Sequence, residues 1–492
     1  MWLRETLRPW IPGRLRRRLR SGRNVSSRLI DKAVVGLAKA SSKVTLSRPK
    51  HVILCGASGA GKTTLHTNLR SVSPAPTFAP EYEIPALKTL RSFSRRLITD
   101  RALDIFSSSK IIEDLGEARD IYFILCVRDP RSLICAKRDA SNVAGYFQGY
   151  DYAFFVSSRI QSYAYPGVVE SLRTVQELHN RPDVSSTIVR YEDLVADPEN
   201  VTLKIVSESG LSSLDSISDA SRGKLRQNIR DAEIDKRDAD VWLRSEHRER
   251  VLRQLHLCPE LEELALALGY PPASAYGIDL SAPPPPPLDG TIVAFHTDDD
   301  IYRAEAARFT RRLDELGLKY DITVVPPRGE WVENCAMKPE FLLDVRKRLR
   351  GPLLYLDVDA YVHSDPWPYL SLYEGDMAAY IHPDGELTSG SLFLSDESKT
   401  VTLLKEWSLG QKRAPREWDQ RVLQKIITAY EASKSDFIFQ RLPPNMNFIF
   451  DKNYEYLFGK PVVEQLQASR ELKDSDTRTR RARLSELESQ KI

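Results

Sequence analysis

The sequence predicts an α/β protein of two domains, a P-loop three-layer α/β/α domain followed by a Rossmann-like domain. Three observations carry that prediction. The apolar run His51–Cys55 leads straight into Gly56-Ala-Ser-Gly-Ala-Gly-Lys-Thr63. Five consecutive prolines, Pro283–Pro287, interrupt the chain. A second apolar run, Leu353–Leu356, ends in Asp357-Val358-Asp359. Apolar runs that end in polar turns and alternate with helical patterns mark parallel sheets.

A chain of 492 residues, 41% of them hydrophobic, has enough apolar material for roughly two to four domains. The net charge of +3 gives no case for a nucleic-acid partner. Cys55, Cys126, Cys135, Cys258 and Cys335 are odd in number and unpatterned. That argues against a disulfide scaffold, fits a reducing compartment and favours a cytoplasmic location. No apolar stretch reaches the ~18 residues of a membrane span.

In chain order, residues 1–48 form a basic arm with a possible helix over 27–40. Arg4, Arg8, Arg14, Arg16, Arg17, Arg18, Arg20 and Arg23 face a single acid, Glu5, and alternate with Trp2, Leu7, Trp10 and Leu15. Such an arm suits peripheral contact with the anionic inner face of a membrane, at about 1 kcal/mol per near-surface arginine. A solvated arm and an organelle transit peptide are the competing readings.

Residues 49–278 read as one α/β domain, with strands at 52–55, 122–127 and 186–189 and a helix over 248–268. The spacing of Gly56–Thr63 is G-x-x-x-x-G-K-T, between a buried strand and a helix start. Glycines let several backbone N–H groups converge on one anion, Lys62 adds a point charge, and the helix N-terminus adds its dipole. Gly56, Ser58, Gly59, Gly61, Lys62, Thr63 and Thr64 are therefore the expected phosphate-binding residues. An ATPase or kinase would also need a magnesium carboxylate at the end of a second strand. The second strand ends instead in Val127-Arg128-Asp129-Pro130-Arg131. Arg128 suits a further phosphate; Asp129 is either a metal carboxylate or half of an ion pair.

Three segments of this domain resemble the sulfotransferase family. They are Val127–Arg131, Ile188-Val-Arg-Tyr-Glu-Asp-Leu194 with Asp197-Pro198, and the stretch from Val241-Trp242 through Cys258-Pro-Glu-Leu261 to Leu268-Gly-Tyr270. The resemblance implies 3′-phosphoadenylyl sulfate as donor, its phosphosulfate in the glycine loop and its 3′-phosphate on Arg128. Lys62, with Thr63 and Thr64, would stabilise the bridging oxygen in an in-line transfer. The base would be a carboxylate or histidine soon after the loop: Glu83 first, then Glu81 or His66. This chain departs from the family in carrying Gly59 where a basic residue is usual, Lys62 in place of threonine, and Ala136 in place of a serine.

Residues 279–289 read as a proline-rich linker. A second α/β unit follows over 290–467, with strands at 291–296, 322–325 and 353–356 and helices at 301–316 and 339–349. Asp357 and Asp359, two apart on an extended chain, would point the same way and hold a hard divalent cation that bridges a diphosphate. Met337-Lys338-Pro339, Thr388-Ser-Gly-Ser-Leu-Phe-Leu394 and Trp418-Asp419-Gln420 add to this motif. Together they resemble GT-A nucleotide-diphospho-sugar glycosyltransferases. The resemblance implies Mn²⁺ or Mg²⁺ on Asp357 and Asp359, with a nucleotide-diphosphate sugar as donor. It implies Lys338 at the phosphate or sugar, and Asp419 as a catalytic group beside Ser389 and Gly390. The third metal ligand stays open among His363, His382, Asn445 and Asn447. Trp418 is read as a core residue or a sugar-stacking face. Residues 468–492 read as a charged tail, frayed or disordered.

The whole sequence thus suggests a bifunctional transferase acting on a glycan or glycoconjugate, by sulfuryl and glycosyl transfer. A P-loop kinase or NTPase fused to a glycosyltransferase, and a scaffold of degenerate domains, are the alternatives.

Overall fold

A computed structural model describes residues 51–57, 59–73, 77–78, 97–99, 121–136, 153–156, 162–165, 168–232, 239–382, 385–433, 435–452, 460–472 and 477–489. The basic arm, Ser58, Glu81 and Glu83 lie outside the described residues. The fold is mixed α/β with sheets rich in parallel pairs. By compactness it forms two units: residues 1–129 with 171–239, and residues 130–170 with 240–492. Among the described residues no helix is long and apolar enough to cross a membrane.

The first unit is built on a five-stranded, wholly parallel sheet. Its strands are β1 (His51–Gly56), β2 (Thr77–Phe78), β3 (Leu97–Thr99), β4 (Ile121–Val127) and, after a hairpin of β5 (Ala153–Val156) and β6 (Ser162–Tyr165), β7 (Ser185–Arg190). The order is β2-β3-β1-β4-β7. Every residue of β4, Ile-Tyr-Phe-Ile-Leu-Cys-Val, is buried, as a strand covered on both faces requires. The chain visits β3 on one side of β1 and β4 on the other, so strand order reverses at β1 and β4. A ligand crevice forms outside the carboxyl ends of such a pair. Gly56 allows the two strands to close there: at φ 141°, a Cβ on it would lie 1.9 Å from the Cys126 carbonyl oxygen. Helix α1 (Lys62–Val72) continues from the loop.

The second unit carries a six-stranded sheet of order β14-β12-β13-β10-β8-β9, formed by β8 (Thr291–Thr297), β9 (Tyr320–Val325), β10 (Leu353–Leu356), β12 (Met377–Ile381), β13 (Leu387–Leu394) and β14 (Phe439–Arg441). β8 is parallel to β9 and β10; β13 runs antiparallel to β10 and β12. A small sheet sets β16 (Val463–Gln465) between β11 (Ala360–Val362) and β15 (Phe448–Ile449). Helices α2 (Asp300–Glu315), α3 (Trp331–Cys335), α4 (Lys338–Arg348), α5 (Ser398–Arg413) and α6 (Asp419–Ser433) complete the layers. Asp299 caps α2 by accepting the Tyr302 N–H at 3.0 Å. One face of the sheet packs Val293, Phe341, Tyr355, Leu392 and Trp407; the other packs Ile292, Phe309, Leu354, Trp367 and Phe393.

Several expectations change here. The helix expected over 248–268 is two, Arg248–Leu257 and Glu260–Ala267, because Pro259 has no N–H to continue the first. The proline run is packed: Arg253 donates to the carbonyls of Pro285 and Pro286, each at 3.1 Å. The charged tail is ordered over α7 (Thr477–Ser489), with Arg480 only 1% exposed. Pairing residues up to 175 sequence positions apart hold α7, and no local pattern announces them.

Arg483 on α7 grips the fully buried Glu464 of β16 through Nε at 2.7 Å and Nη2 at 2.8 Å, and His363 Nε2 lies 2.7 Å from the same carboxylate. Burial pushes Glu464 up, but Arg483 and His363 outweigh it and hold the carboxyl below its ordinary value. A lowered carboxyl adds stability above its unfolded pKa and loses it as pH falls through the folded one. Glu464→Gln should therefore lose about 3 kcal/mol at pH 7, and progressively less as pH falls below the ordinary carboxyl range toward the lowered folded pKa, in urea unfolding monitored across that range.

Candidate functional site

In the first unit, the glycine loop meets the end of β4. Lys62 Nζ folds back on the loop itself, donating to the carbonyls of Gly56 at 2.5 Å and Ala57 at 2.9 Å. Gly61, at φ 80°, caps α1, and its carbonyl accepts the Leu65 N–H at 3.0 Å. Thr63 is exposed and Thr64 half-buried at the first turn of the helix. Arg128, 6% exposed, stacks 4.5 Å above the Tyr191 ring and donates from Nη1 to the Gly59 carbonyl at 3.3 Å. Arg128 and the loop thus share one crevice edge, with two cations at an N-terminal dipole. His66 lies on the buried face of α1 with Leu65 and Leu69, which removes it from the candidates for an exposed base.

Other residues of the resembling segments make local contacts. The Asp129 N–H donates to Glu192 at 3.1 Å, and Asp197 caps the helix that begins at Pro198 by accepting the Asn200 N–H at 3.2 Å. In the second unit, Arg131 is fully buried, stacks 4.2 Å from the Trp242 ring and donates to the Pro271 carbonyl at 2.8 Å.

The second unit has a pocket at the carboxyl ends of β8 and β10, lined by His296, Tyr302, Trp331, Asn334, Cys335, Lys338, Tyr355, Asp357, Asp359, Gln467 and Ser469 among others. The two aspartates reach it by a turn rather than an extended segment: the Ala360 N–H bonds back to the Asp357 carbonyl at 2.9 Å. Sheet pairing fixes that turn, since the Asp357 N–H donates to the Gly390 carbonyl at 3.0 Å. Gly390 leaves the room this needs; a Cβ there would stand 3.1 Å from both Asp357 Oδ2 and the Gln465 side chain.

Lys338 is buried between two carboxylates, 3.1 Å from Asp357 Oδ1 and 3.1 Å from Asp419 Oδ2. Its Nζ also donates to the Ser389 carbonyl at 3.0 Å and hydroxyl at 2.9 Å, and sits 4.8 Å from the Tyr355 ring centre. Burial acts to strip its proton, but Asp357 and Asp419 overcome that and hold the ammonium above its ordinary pKa. The Tyr355 hydroxyl donates to Asp357 Oδ1 at 2.7 Å, and burial with that carboxylate keeps the phenol neutral. Burial, with Asp357 and Glu305 adding to it, pushes Asp359 up to about 6, although Asp359 Oδ2 accepts the Ala468 N–H at 2.6 Å. Burial likewise pushes the Cys335 thiol up, so it stays protonated.

Of the residues expected here, Asp357, Asp359 and Lys338 meet in one pocket. Asp419 does not line it: its carboxylate accepts the Ser389 hydroxyl at 2.7 Å and pairs with Lys338 from behind. None of the four candidates for a third ligand lines the pocket either. His363 is taken by Glu464, His382 Nε2 lies 3.3 Å from Lys452 Nζ, and Asn445 and Asn447 are buried elsewhere. Gln467 lines it instead, and is the one non-glycine residue at positive φ among the described residues, at 56°. No sequence pattern marks it. Tyr355 had a signal, an aromatic ring two positions before the first aspartate. Trp418 is 38% exposed rather than core, with Trp331 edge-on at 6.2 Å; Trp407 is the core tryptophan.

The donor set fits a hard divalent cation: two adjacent carboxylates, one of them with raised proton affinity, and an amide oxygen within one pocket. Among the described residues there is no group of three His, Cys, Asp or Glu side chains placed to hold a metal, so water and ligand oxygens would fill the remaining positions.

No protein-family model matches the sequence, and no curated protein matches it. Solved structures that are similar include a glycosyltransferase involved in the glycosylation of the major capsid of PBCV-1, at 14% identity and a TM-score of 0.29, covering 36% of this chain and 92% of that one. Another is the galactosyltransferase LgtC in complex with donor and acceptor sugar analogs, at 14% identity and a TM-score of 0.24, covering 36% and 86%. Scores this low carry no argument about residues, and the functional reading rests on the pocket itself.

Removing the buried ammonium leaves two carboxylates facing each other. Lys338→Met should cost about 3–5 kcal/mol in chemical unfolding, and adding Asp419→Asn should recover part of that loss; a simply additive double variant would contradict the pairing.

Proposed function

We propose that the second unit transfers a sugar from a nucleotide-diphosphate donor to a glycan or glycoconjugate, with a divalent cation, Mn²⁺ or Mg²⁺, on Asp357 and Asp359. The convergence of these carboxylates with Lys338 in one pocket carries the reading. A bound cation supplies Lewis acidity to the leaving diphosphate, an effect worth several kcal/mol. The chain's own residues prepare the site. Tyr355 and Lys338 fix the Asp357 oxygen they share, which leaves the second oxygen directed at Gly390's open side. The Ala468 N–H fixes one oxygen of Asp359, and Gln467 brings an amide beside them. Asp419 is a positioning residue that keeps Lys338 charged, and the partly exposed Trp418 offers an aromatic face to an acceptor sugar.

For the first unit, the position of Arg128 against Gly59 favours a donor with a phosphate beyond the loop. That supports sulfuryl transfer from 3′-phosphoadenylyl sulfate over the kinase reading, and makes the chain a bifunctional glycan-modifying transferase. Lys62 would exchange its two loop carbonyls for donor oxygens, and Thr63 and Thr64 stand at the helix start to join it.

Two measurements on the full chain test these assignments. The protein should hydrolyse a UDP- or GDP-sugar only with Mn²⁺ or Mg²⁺, and Asp359→Asn should lower the rate at least about 100-fold without altering far-UV circular dichroism. Metal-independent hydrolysis would end the glycosyl-transfer reading. In calorimetry, adenosine 3′,5′-bisphosphate should bind more tightly than ADP, and Arg128→Ala should erase that preference; ADP binding preferentially would return the first unit to the kinase class.

A further inference from the structure

The cation pocket has a wall supplied by the far C-terminus. Gln467, Ala468 and Ser469 stand between β16 and α7, and two of them line the pocket while the third donates its N–H to Asp359. A loop whose Gln467 sits at positive φ holds that shape only when its surroundings fix it. The fixing group is Arg480 of α7. Its Nε donates to the Leu466 carbonyl at 2.9 Å, the residue just before Gln467, and its two terminal nitrogens pair with Glu305 and Glu471. Glu305, on α2 and 7% exposed, uses its other oxygen to pair with Arg308, and Arg308 donates to the Asp359 carbonyl at 3.2 Å.

One buried carboxylate therefore ties both sides of the pocket. Through Arg308 it holds the backbone of Asp359; through Arg480 it holds the loop that carries Gln467 and Ala468. We propose that Arg480 is a positioning residue of the cation site, whose bonds to the Leu466 carbonyl and to Glu305 set the geometry of Gln467 and Asp359. This deepens the glycosyl-transfer reading and rests on it. Arg483, on the same helix, pairs with Glu464 of β16 and with Glu486 rather than with Leu466 or Glu305, so it separates loss of the helix anchor from loss of the pocket geometry.

The probe is Mn²⁺ alone, titrated into the full-length protein with the free ion followed by electron paramagnetic resonance. Arg480→Gln should weaken Mn²⁺ binding about 10–100-fold, the usual effect of removing an outer partner of a metal ligand. Arg480→Lys, which keeps a positive charge beside Glu305 but lacks the planar fork that spans Leu466, Glu305 and Glu471, should fall between the wild type and Arg480→Gln. Arg483→Gln should lower the melting temperature and leave the Mn²⁺ dissociation constant unchanged. Because coupling is reciprocal, Mn²⁺ should also slow amide hydrogen exchange across 477–489 in the wild type, and this needs no variant to fold. A folded Arg480→Gln protein that binds Mn²⁺ as the wild type does, or exchange in α7 that ignores Mn²⁺, overturns the inference alone. A wild type that binds no Mn²⁺ overturns the glycosyl-transfer reading itself, and the inference with it.

Discussion

The pocket of the second unit depends on one buried ammonium. Lys338 sits where two carboxylates would otherwise repel each other in a medium that screens poorly. Its charge lets Asp357 face the cavity and Asp419 stay behind it, and it draws β13 into the arrangement through the carbonyl and hydroxyl of Ser389. A buried pair of this kind adds little net stability compared with an apolar replacement. What it provides is placement: with the ammonium present, the strand end, the helix start of α4 and the helix start of α6 have one satisfactory arrangement.

The glycine loop of the first unit shows the same economy in another form. The Lys62 ammonium bonds back to two of the loop's own carbonyls and is half-buried at the helix N-terminus. An anion bound there would compete with those bonds, while Arg128, stacked on the Tyr191 ring, already reaches the loop through the Gly59 carbonyl. The glycine loop is thus self-closed on one side and preformed on the other.

The elements that read most clearly from the sequence are those whose partners are near or whose burial is complete. β4 and β10 are unbroken apolar runs, and their predicted ends match the structure closely. Asp357, Asp359 and Lys338 were legible because each sits at an element boundary with a distinctive neighbour. The turn at Asp357 was not, since the bond from its N–H to Gly390 depends on a strand that follows much later. Gln467 and Arg480 were invisible for the same reason. A residue at positive φ with no glycine or asparagine to announce it, and an arginine in a highly charged segment that turns out to be buried, take their roles from tertiary contacts alone. The histidines and asparagines proposed as ligands failed because hydrogen-bonding chemistry suits them equally to structural duty, and only geometry separates the two.

The chain passes between its two compact units three times, at residues 129–130, 170–171 and 239–240. The proline run, the most conspicuous seam in the sequence, is not one of these crossings, and Arg253 binds its carbonyls into the second unit. A cut at the proline run would therefore release neither unit whole, because residues 240–282 on its near side belong with the unit beyond it.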